Sequence, residues 1–494
     1  MRNVLLILLL SLTACVPNRS FRQSVSVYPP IPGESPYTLA FIEFDDMGEF
    51  WDRTQLNRAL QSINDAKARG NGQVIVVTFV HGWKNNASDD SGNVWGFRDE
   101  LKDIAGRSGN IPVVGVYIGW RGAATNVPFL KELSFGNRRN AAIRIPGANI
   151  TEALHKIMRT TKQGENDRSK CVLIGHSFGG MVLERALTQS MVSLINDEEE
   201  KNGKTGASRI SIPSPADLIV FVNSAAPATE GKQFLGMLKA GHYYYRSGTR
   251  DVPFFLAITS KGDTATEFLM PIGHFPSKIT KAMRQYDLCD PDAHPEFPPG
   301  IPNQSTYYLH STANSPVLQS HEIFVSDRPD DDPANCAEVH QKWYCVRPKA
   351  NRWNDTPYWA MRMQAEIVPD HGTIFRPEFR RLLEVFLPTR DETPRTLERV
   401  AIPNITSSQL DLSSKIQKKR SELEASWVRH KNEKEGQDAL KEARDILGKL
   451  NVSGTCLANP DNVFQLLRNK IKDIVSDPSK VVQIAEAMGI KSDQ

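Results

Sequence analysis

The chain is predicted to fold as an α/β domain, a mostly parallel central sheet flanked by helices, followed by a separate helical region. Three observations predict it. Short apolar runs alternate with helix-length segments from Thr38 onward. Those runs are rich in β-branched residues and show no polar alternation, as strands covered on both faces must be. After Leu387 and Pro388 the composition turns charged and helix-forming. Repeated strand-then-helix units pack as a parallel sheet with helices on its two faces.

In chain order, Thr38–Phe44 reads as a strand and Trp51–Arg69 as a helix, then Val74–Val80 as a buried strand and Val94–Ala105 as a helix. Val113–Ile118 is again strand-like, Ala148–Thr160 helical, and Cys171–Ile174 a strand that runs into a glycine-rich turn. Met181–Ile195 continues as a helix, and Leu218–Val222 and Phe254–Thr259 are strands. The pattern breaks between Asp263 and Met363, where prolines cluster at Pro291, Pro295, Pro298, Pro299 and Pro302. A structureless loop of about a hundred residues inside a domain is improbable. Residues 264–365 are therefore expected to be a cap-like insertion, with Trp343, Tyr344, Trp353, Tyr358 and Trp359 as candidate wall residues. Met363–Val368 is the expected last strand, and Pro377–Leu383 a helix. In residues 401–494 Leu412, Ile416, Leu423 and Trp427 recur near a helical period, as do Val463, Leu467, Ile471 and Ile474. Gly436 and Pro478 are expected to interrupt these helices, which pack on the main domain or on a protein partner.

Sixty basic and 57 acidic residues leave a net charge of +3 spread along the chain, without the dense basic patch that nucleic acid requires. No metal-ligand spacing, phosphate-binding loop or other cofactor motif stands out. The first residues are more informative. Met1-Arg2-Asn3 precedes an apolar run, Val4–Leu10, that is far short of the roughly 20 residues a spanning helix needs. Residues 1–14 therefore read as a secretory signal peptide. Leu12-Thr13-Ala14-Cys15 resembles the lipobox of bacterial lipoproteins. That resemblance implies lipidation of Cys15, an anchor in the membrane, and a periplasmic face of the cell envelope as destination. Val16, where an aspartate would favour retention at the inner membrane, tilts the expectation toward the outer membrane. Residues 15–35, with Pro29, Pro30 and Pro32 and no periodicity, suit a tether. Export is an oxidising setting. Cys171 opens a buried run and reads as a small core residue, whereas Cys289, Cys336, Cys345 and Cys456 can form up to two disulfides in three pairings, Cys336 with Cys345 being the most local.

The chemistry centres on Gly175-His176-Ser177-Phe178-Gly179. A serine hydroxyl is a weak nucleophile, so it must sit where a base can take its proton and donors await the developing oxyanion. An apolar strand before Gly-x-Ser-x-Gly and a helix after it is the setting in which the serine projects from a sharp turn, next to a helix N-terminus. Here the chain resembles the α/β-hydrolase superfamily over roughly residues 36–390, the domain itself being drawn at 36–400. A second motif agrees, since the strand Val74–Val80 ends in His81-Gly82-Trp83, which looks like the first oxyanion loop of that superfamily. The resemblance implies oxyanion donors at the N–H groups of Trp83 and Phe178, with His81 holding the loop.

It also implies the order nucleophile, acid, histidine. Asp263 follows the strand Phe254–Thr259 in a turn, where sites of open α/β sheets collect, and Glu230 and Asp251 are weaker alternatives. His371 follows an expected strand and precedes an expected helix, a setting that none of the other ten histidines shares. Ser177, His371 and Asp263 are thus the expected triad, cleaving carboxylic esters of small molecules or lipids through an acyl-enzyme. An acyltransferase or peptidase using the same residues, and a non-catalytic envelope-binding lipoprotein, remain open.

Overall fold

The computed structural model describes residues 19–22, 36–123, 135–163, 167–203, 209–213, 216–240, 243–244, 252–270, 305–330, 335–349, 356–387, 396–400, 407–450, 452, 457–476 and 480–491. The expected signal peptide, Cys15 and most of the tether lie outside these residues, as do Asp251, Cys289, Trp353, Cys456 and Pro478. The chain divides into two compact units, the second beginning in its C-terminal part at Val400.

In the first unit, strands Tyr37–Glu43 (β1), Ile75–Val80 (β2), Val113–Gly119 (β3), Lys170–His176 (β4), Leu218–Val222 (β5) and Phe255–Ser260 (β6) alternate with helices. Between the strands lie Arg53–Arg69 (α1), Gly92–Arg107 (α2), Phe135–Arg144 (α3), Ala148–Thr161 (α4), Phe178–Gly203 (α5) and Ala228–Ala240 (α6). An insertion supplies His321–Ser326 (β7), Cys336–Val339 (β8) and Lys342–Pro348 (β9) before the chain returns as Tyr358–Met363 (β10) and Pro377–Glu384 (α7). The central sheet has seven strands in the order β1-β3-β2-β4-β5-β6-β10, and every pair in it is parallel. The sheet is thus wholly rather than mostly parallel. β3 is buried at all seven positions and β5 at all five, which is why these strands carry apolar runs without alternation.

Local signals set the helix ends. The Asp52 carboxylate accepts from the Thr54 N–H at 2.9 Å to start α1, and Gly70 ends it. Proline at the first position opens α7. Three residues of the expected tether are docked on the sheet: the Ser20 hydroxyl and the N–H groups of Phe21 and Arg22 bond the buried Glu43 carboxylate at 2.7, 2.8 and 2.8 Å, and the Arg22 guanidinium lies over the Phe41 ring.

Strand order changes direction between β2 and β4. The chain leaves β2 toward β3 on one side and continues from β4 toward β5 on the other. A crevice opens at such a point, outside the carboxyl ends of the strands.

Two expectations about the insertion need correction. The last strand of the central sheet is Tyr358–Met363, not Met363–Val368. Tyr358 and Trp359 are 0% and 5% exposed on that strand, so they are sheet residues, not pocket wall. The insertion closes before Tyr358, and Ile367 and Val368 are buried in the turn that follows. Within the insertion, β8-β9-β7 form a small antiparallel sheet. Its Ile323, Ala337, Val339, Tyr344 and Val346 join the main hydrophobic core, so Tyr344 is a core residue as well. His340 and Gln341, both with positive φ, make the two-residue turn from β8 to β9. A disulfide joins the directly opposed Cys336 and Cys345, and Cys171 is buried as a free thiol.

The described part of the second unit contains helices Ser407–Arg429 (α8), Lys434–Lys449 (α9), Pro460–Ser476 (α10) and Lys480–Ala487 (α11). They enclose a core of their own that includes Ile416, Trp427, Leu440, Leu447, Val463, Leu467 and Ile484. Gly436 does not interrupt a helix. It sits inside α9, and a Cβ there would lie 2.0 Å from the His430 carbonyl oxygen, so glycine is what permits the tight turn from α8. Among the described residues, no helix is long and apolar enough to cross a membrane.

Candidate active site

Ser177 stands between the end of β4 and the start of α5 with φ +56°. A non-glycine residue in this region costs about 1–3 kcal/mol, a strain that persists only where the surroundings impose it. They do so here. The Ser177 N–H bonds the Val222 carbonyl at 3.1 Å, its carbonyl accepts from Ala225 N–H at 3.1 Å and Met181 N–H at 3.2 Å, and the flanking backbone is packed tightly. A Cβ on Gly179 would lie 2.1 Å from the Val80 carbonyl oxygen, and one on Gly82 would lie 2.7 Å from the Ser177 Cβ. Glycine at these positions lets the end of β2 lie directly against the serine turn.

Ser177, His371 and Asp263, far apart in sequence, form one hydrogen-bonded line. The Ser177 hydroxyl and His371 Nε2 are 2.8 Å apart, and His371 Nδ1 is 2.8 Å from Asp263 Oδ1. A carboxylate only accepts, so Nδ1 carries the proton and Nε2 is left to accept from the hydroxyl. Docking of two loops brings acid and histidine together. The Ser260 hydroxyl donates to the Val368 carbonyl, Lys261 N–H bonds the Met363 carbonyl at 2.9 Å, and Gly262 lies so close to Pro369 that a Cβ would meet its carbonyl oxygen at 2.2 Å. Asp263 is 0% exposed. Burial pushes its carboxyl up, but the hydrogen bond and charge of His371 and the donors of Thr266 outweigh that, leaving it below its ordinary value.

His176, in the sequence only the variable residue of the serine motif, has a definite place. Its Nε2 donates to the His371 carbonyl at 2.7 Å, and Asn223 Nδ2 donates to the same oxygen at 3.0 Å. Asn223 is in turn held by the Ser260 N–H, which bonds its Oδ1 at 3.0 Å. Burial, then the neighbouring His371, drives His176 down to about 3, so it is neutral, and its buried Nδ1 has no hydrogen-bond partner among the described residues. Asn223 gave a usable signal, a polar residue at the carboxyl end of an apolar strand. The role of His176 had none, because it depends on where His371 lies.

His81 is fully buried and holds the loop after β2. Its Nδ1 bonds the Gly82 carbonyl at 2.9 Å, its Nε2 accepts from Trp120 N–H at 3.0 Å, and the Trp120 indole donates back to the His81 carbonyl at 2.9 Å. Burial takes it down to about 4, so it too stays neutral. Trp83 follows, its ring against Phe135 and Phe178 with centroids 5.1 and 6.5 Å away. Phe178 is the first residue of α5, where backbone N–H groups lack intrahelical acceptors. Glu230 pairs with Arg185 at 2.8 Å and takes no part in the line. Asp370, next to His371, caps the N–H groups of Gly372 and Thr373 at 2.8 and 2.9 Å. Among the described residues, no group of three or more His, Cys, Asp or Glu side chains is arranged to hold a metal.

The chain matches no protein-family model, no curated protein and no solved structure.

Proposed function

We propose that the chain is a serine hydrolase of the α/β-hydrolase type that cleaves carboxylic esters, held at the cell envelope through a lipidated Cys15. The observation that carries this reading is the line Ser177–His371–Asp263 at 2.8 Å and 2.8 Å, at the carboxyl ends of parallel strands where strand order switches. His371 takes the Ser177 proton as the oxygen attacks the ester carbonyl, and Asp263 holds the imidazole tautomer and stabilises the imidazolium. The N–H groups of Trp83 and Phe178 receive the tetrahedral oxyanion. His371 then gives its proton to the departing alkoxide. Water, deprotonated by the same histidine, attacks the acyl-enzyme and releases the acid. Removing one oxyanion donor typically costs about 10²–10³ in turnover.

The test is covalent labelling by a fluorophosphonate, which traps an activated serine. Wild type is expected to label and Ser177→Ala is not, and His371→Ala is expected to lose hydrolysis of short p-nitrophenyl esters. Wild-type protein that does not label at Ser177 refutes the reading. The anchor is tested separately, by incorporation of labelled palmitate that disappears in Cys15→Ser.

A further inference from the structure

We propose that Thr266 and Asn314 are positioning residues for Asp263, and that the insertion thereby helps set the strength of the catalytic acid. The proposal rests on the triad reading above.

The two oxygens of Asp263 are served unequally. Oδ1 accepts from His371, from Ala265 N–H at 3.0 Å and from Thr266 N–H at 3.2 Å. Oδ2 accepts from the Thr266 hydroxyl alone among the described residues, at 2.5 Å. An ionised carboxylate oxygen at a fully buried residue therefore depends on one hydroxyl. Thr266 lies in a single π-helical turn, Ala265–Leu269, directly after Asp263. Such turns concentrate at functional sites. This one brings the amide and the hydroxyl of the same residue to the two carboxylate oxygens.

The hydroxyl has one proton, and it is committed to Asp263, so Thr266 Oγ1 can only accept from any other neighbour. Asn314 Nδ2 fills that need at 3.1 Å. Asn314 is 7% exposed and sits in the turn Ser311–Ser315 of the insertion, where its own N–H bonds the Ser311 carbonyl at 3.1 Å. The amide fixes the direction of the chain of donors: Asn314 to Thr266, Thr266 to Asp263, and His371 to the other oxygen. A carboxylate at position 314 reverses it, because it accepts where Asn314 donates and competes for the one hydroxyl proton.

Among the described residues, the titratable groups that interact with Asp263 are His371 and the neutral His176, the Asp370 carboxylate acts on His371 as well, and Glu267 pairs outward with Arg362 at 3.0 Å. Losing the donor at Oδ2 makes Asp263 more basic. Its attraction for protonated His371 then grows, and the acid limb of the rate profile moves upward with it.

The experiment measures kcat, KM and the pH profile of kcat/KM on a short p-nitrophenyl ester, per mole of fluorophosphonate-reactive Ser177. Thr266→Val is expected to lower kcat about tenfold with KM within twofold, and to move the acid limb of the profile upward. Thr266→Ser is expected to restore most of the turnover and the wild-type acid limb. Asn314→Asp is expected to lose more activity than Asn314→Leu and to move the acid limb the same way as Thr266→Val. If Thr266→Val does not accumulate folded, the comparison of Asn314→Asp with Asn314→Leu decides. An active wild type whose Thr266→Val and Asn314→Asp keep normal kcat and an unmoved acid limb overturns this proposal alone. A wild type that neither labels at Ser177 nor hydrolyses ester overturns the triad reading, and the proposal falls with it.

Discussion

Glu184→Gln is expected to make the protein relatively more stable the more alkaline the solution. Glu184 lies on α5 two turns beyond Ser177, is 0% exposed, and accepts at Oε1 from the Tyr358 hydroxyl at 2.6 Å and the Thr312 hydroxyl at 3.2 Å. Its Oε2 is buried without a hydrogen-bond partner among the described residues. Burial pushes the carboxyl from an ordinary 4.5 up to about 8. Between those values the unfolded chain gives up this proton while the folded chain keeps it. Each pH unit crossed therefore costs about 1.4 kcal/mol of stability. The contribution is whole below pH 4.5, falls as pH rises, and is lost by about pH 8, a span worth roughly 5 kcal/mol. Glutamine accepts the same two hydroxyl bonds and does not titrate. Its neutral amide leaves a buried N–H₂ where Oε2 now stands, a fixed penalty of about 1–3 kcal/mol that does not vary with pH. Urea unfolding of wild type and variant, followed at intervals from pH 5 to pH 9, is the assay. Contributions from titrating groups that do not interact with Glu184 cancel in the difference. The variant should gain on wild type by about 1 kcal/mol or more per pH unit up to about pH 8 and then run parallel. Curves that stay parallel from pH 5 would refute the assignment of a buried, protonated Glu184.

Two further outcomes follow from the geometry of the site. Gly82→Ala places a methyl 2.7 Å from the Ser177 Cβ and 2.9 Å from the His176 carbonyl oxygen, so one of the two loops must move. Turnover should fall at least about 10²-fold while the fold survives, checked by ester hydrolysis beside circular dichroism. His176→Phe removes the 2.7 Å donor to the His371 carbonyl and leaves Asn223 alone to hold it. A drop of about five- to tenfold in kcat is expected, with most of it restored in His176→Gln, whose amide reaches about as far as Nε2. Equal activities of the Phe and Gln variants would show that packing, and not the hydrogen bond, is what His176 supplies.

The strands of the parallel sheet were legible because burial on both faces demands an unbroken apolar run, and Val74–Val80, Val113–Ile118 and Leu218–Val222 each have one. β10 escaped because its aromatic and charged sequence, Tyr358–Met363, gives no such run, although aromatics suit strands as well as β-branched residues do. The helix α3 escaped too, since Phe135–Arg144 offers little apolar periodicity. Ser177, Asp263 and His371 could be picked out by type, order and setting, since the turn after a strand is local chemistry written in adjacent residues. Their separations could not, because they depend on which loop ends dock, as Ser260 does with Val368 and Gly262 with Pro369. The same holds for His176, Asn223 and Asn314, whose partners lie 195, 148 and 48 residues away in the chain. Residue type and short-range pattern determine which segments become strand, turn or helix. Only the packed sheet decides which polar atoms meet, because a hydrogen bond needs its two atoms within about 3 Å.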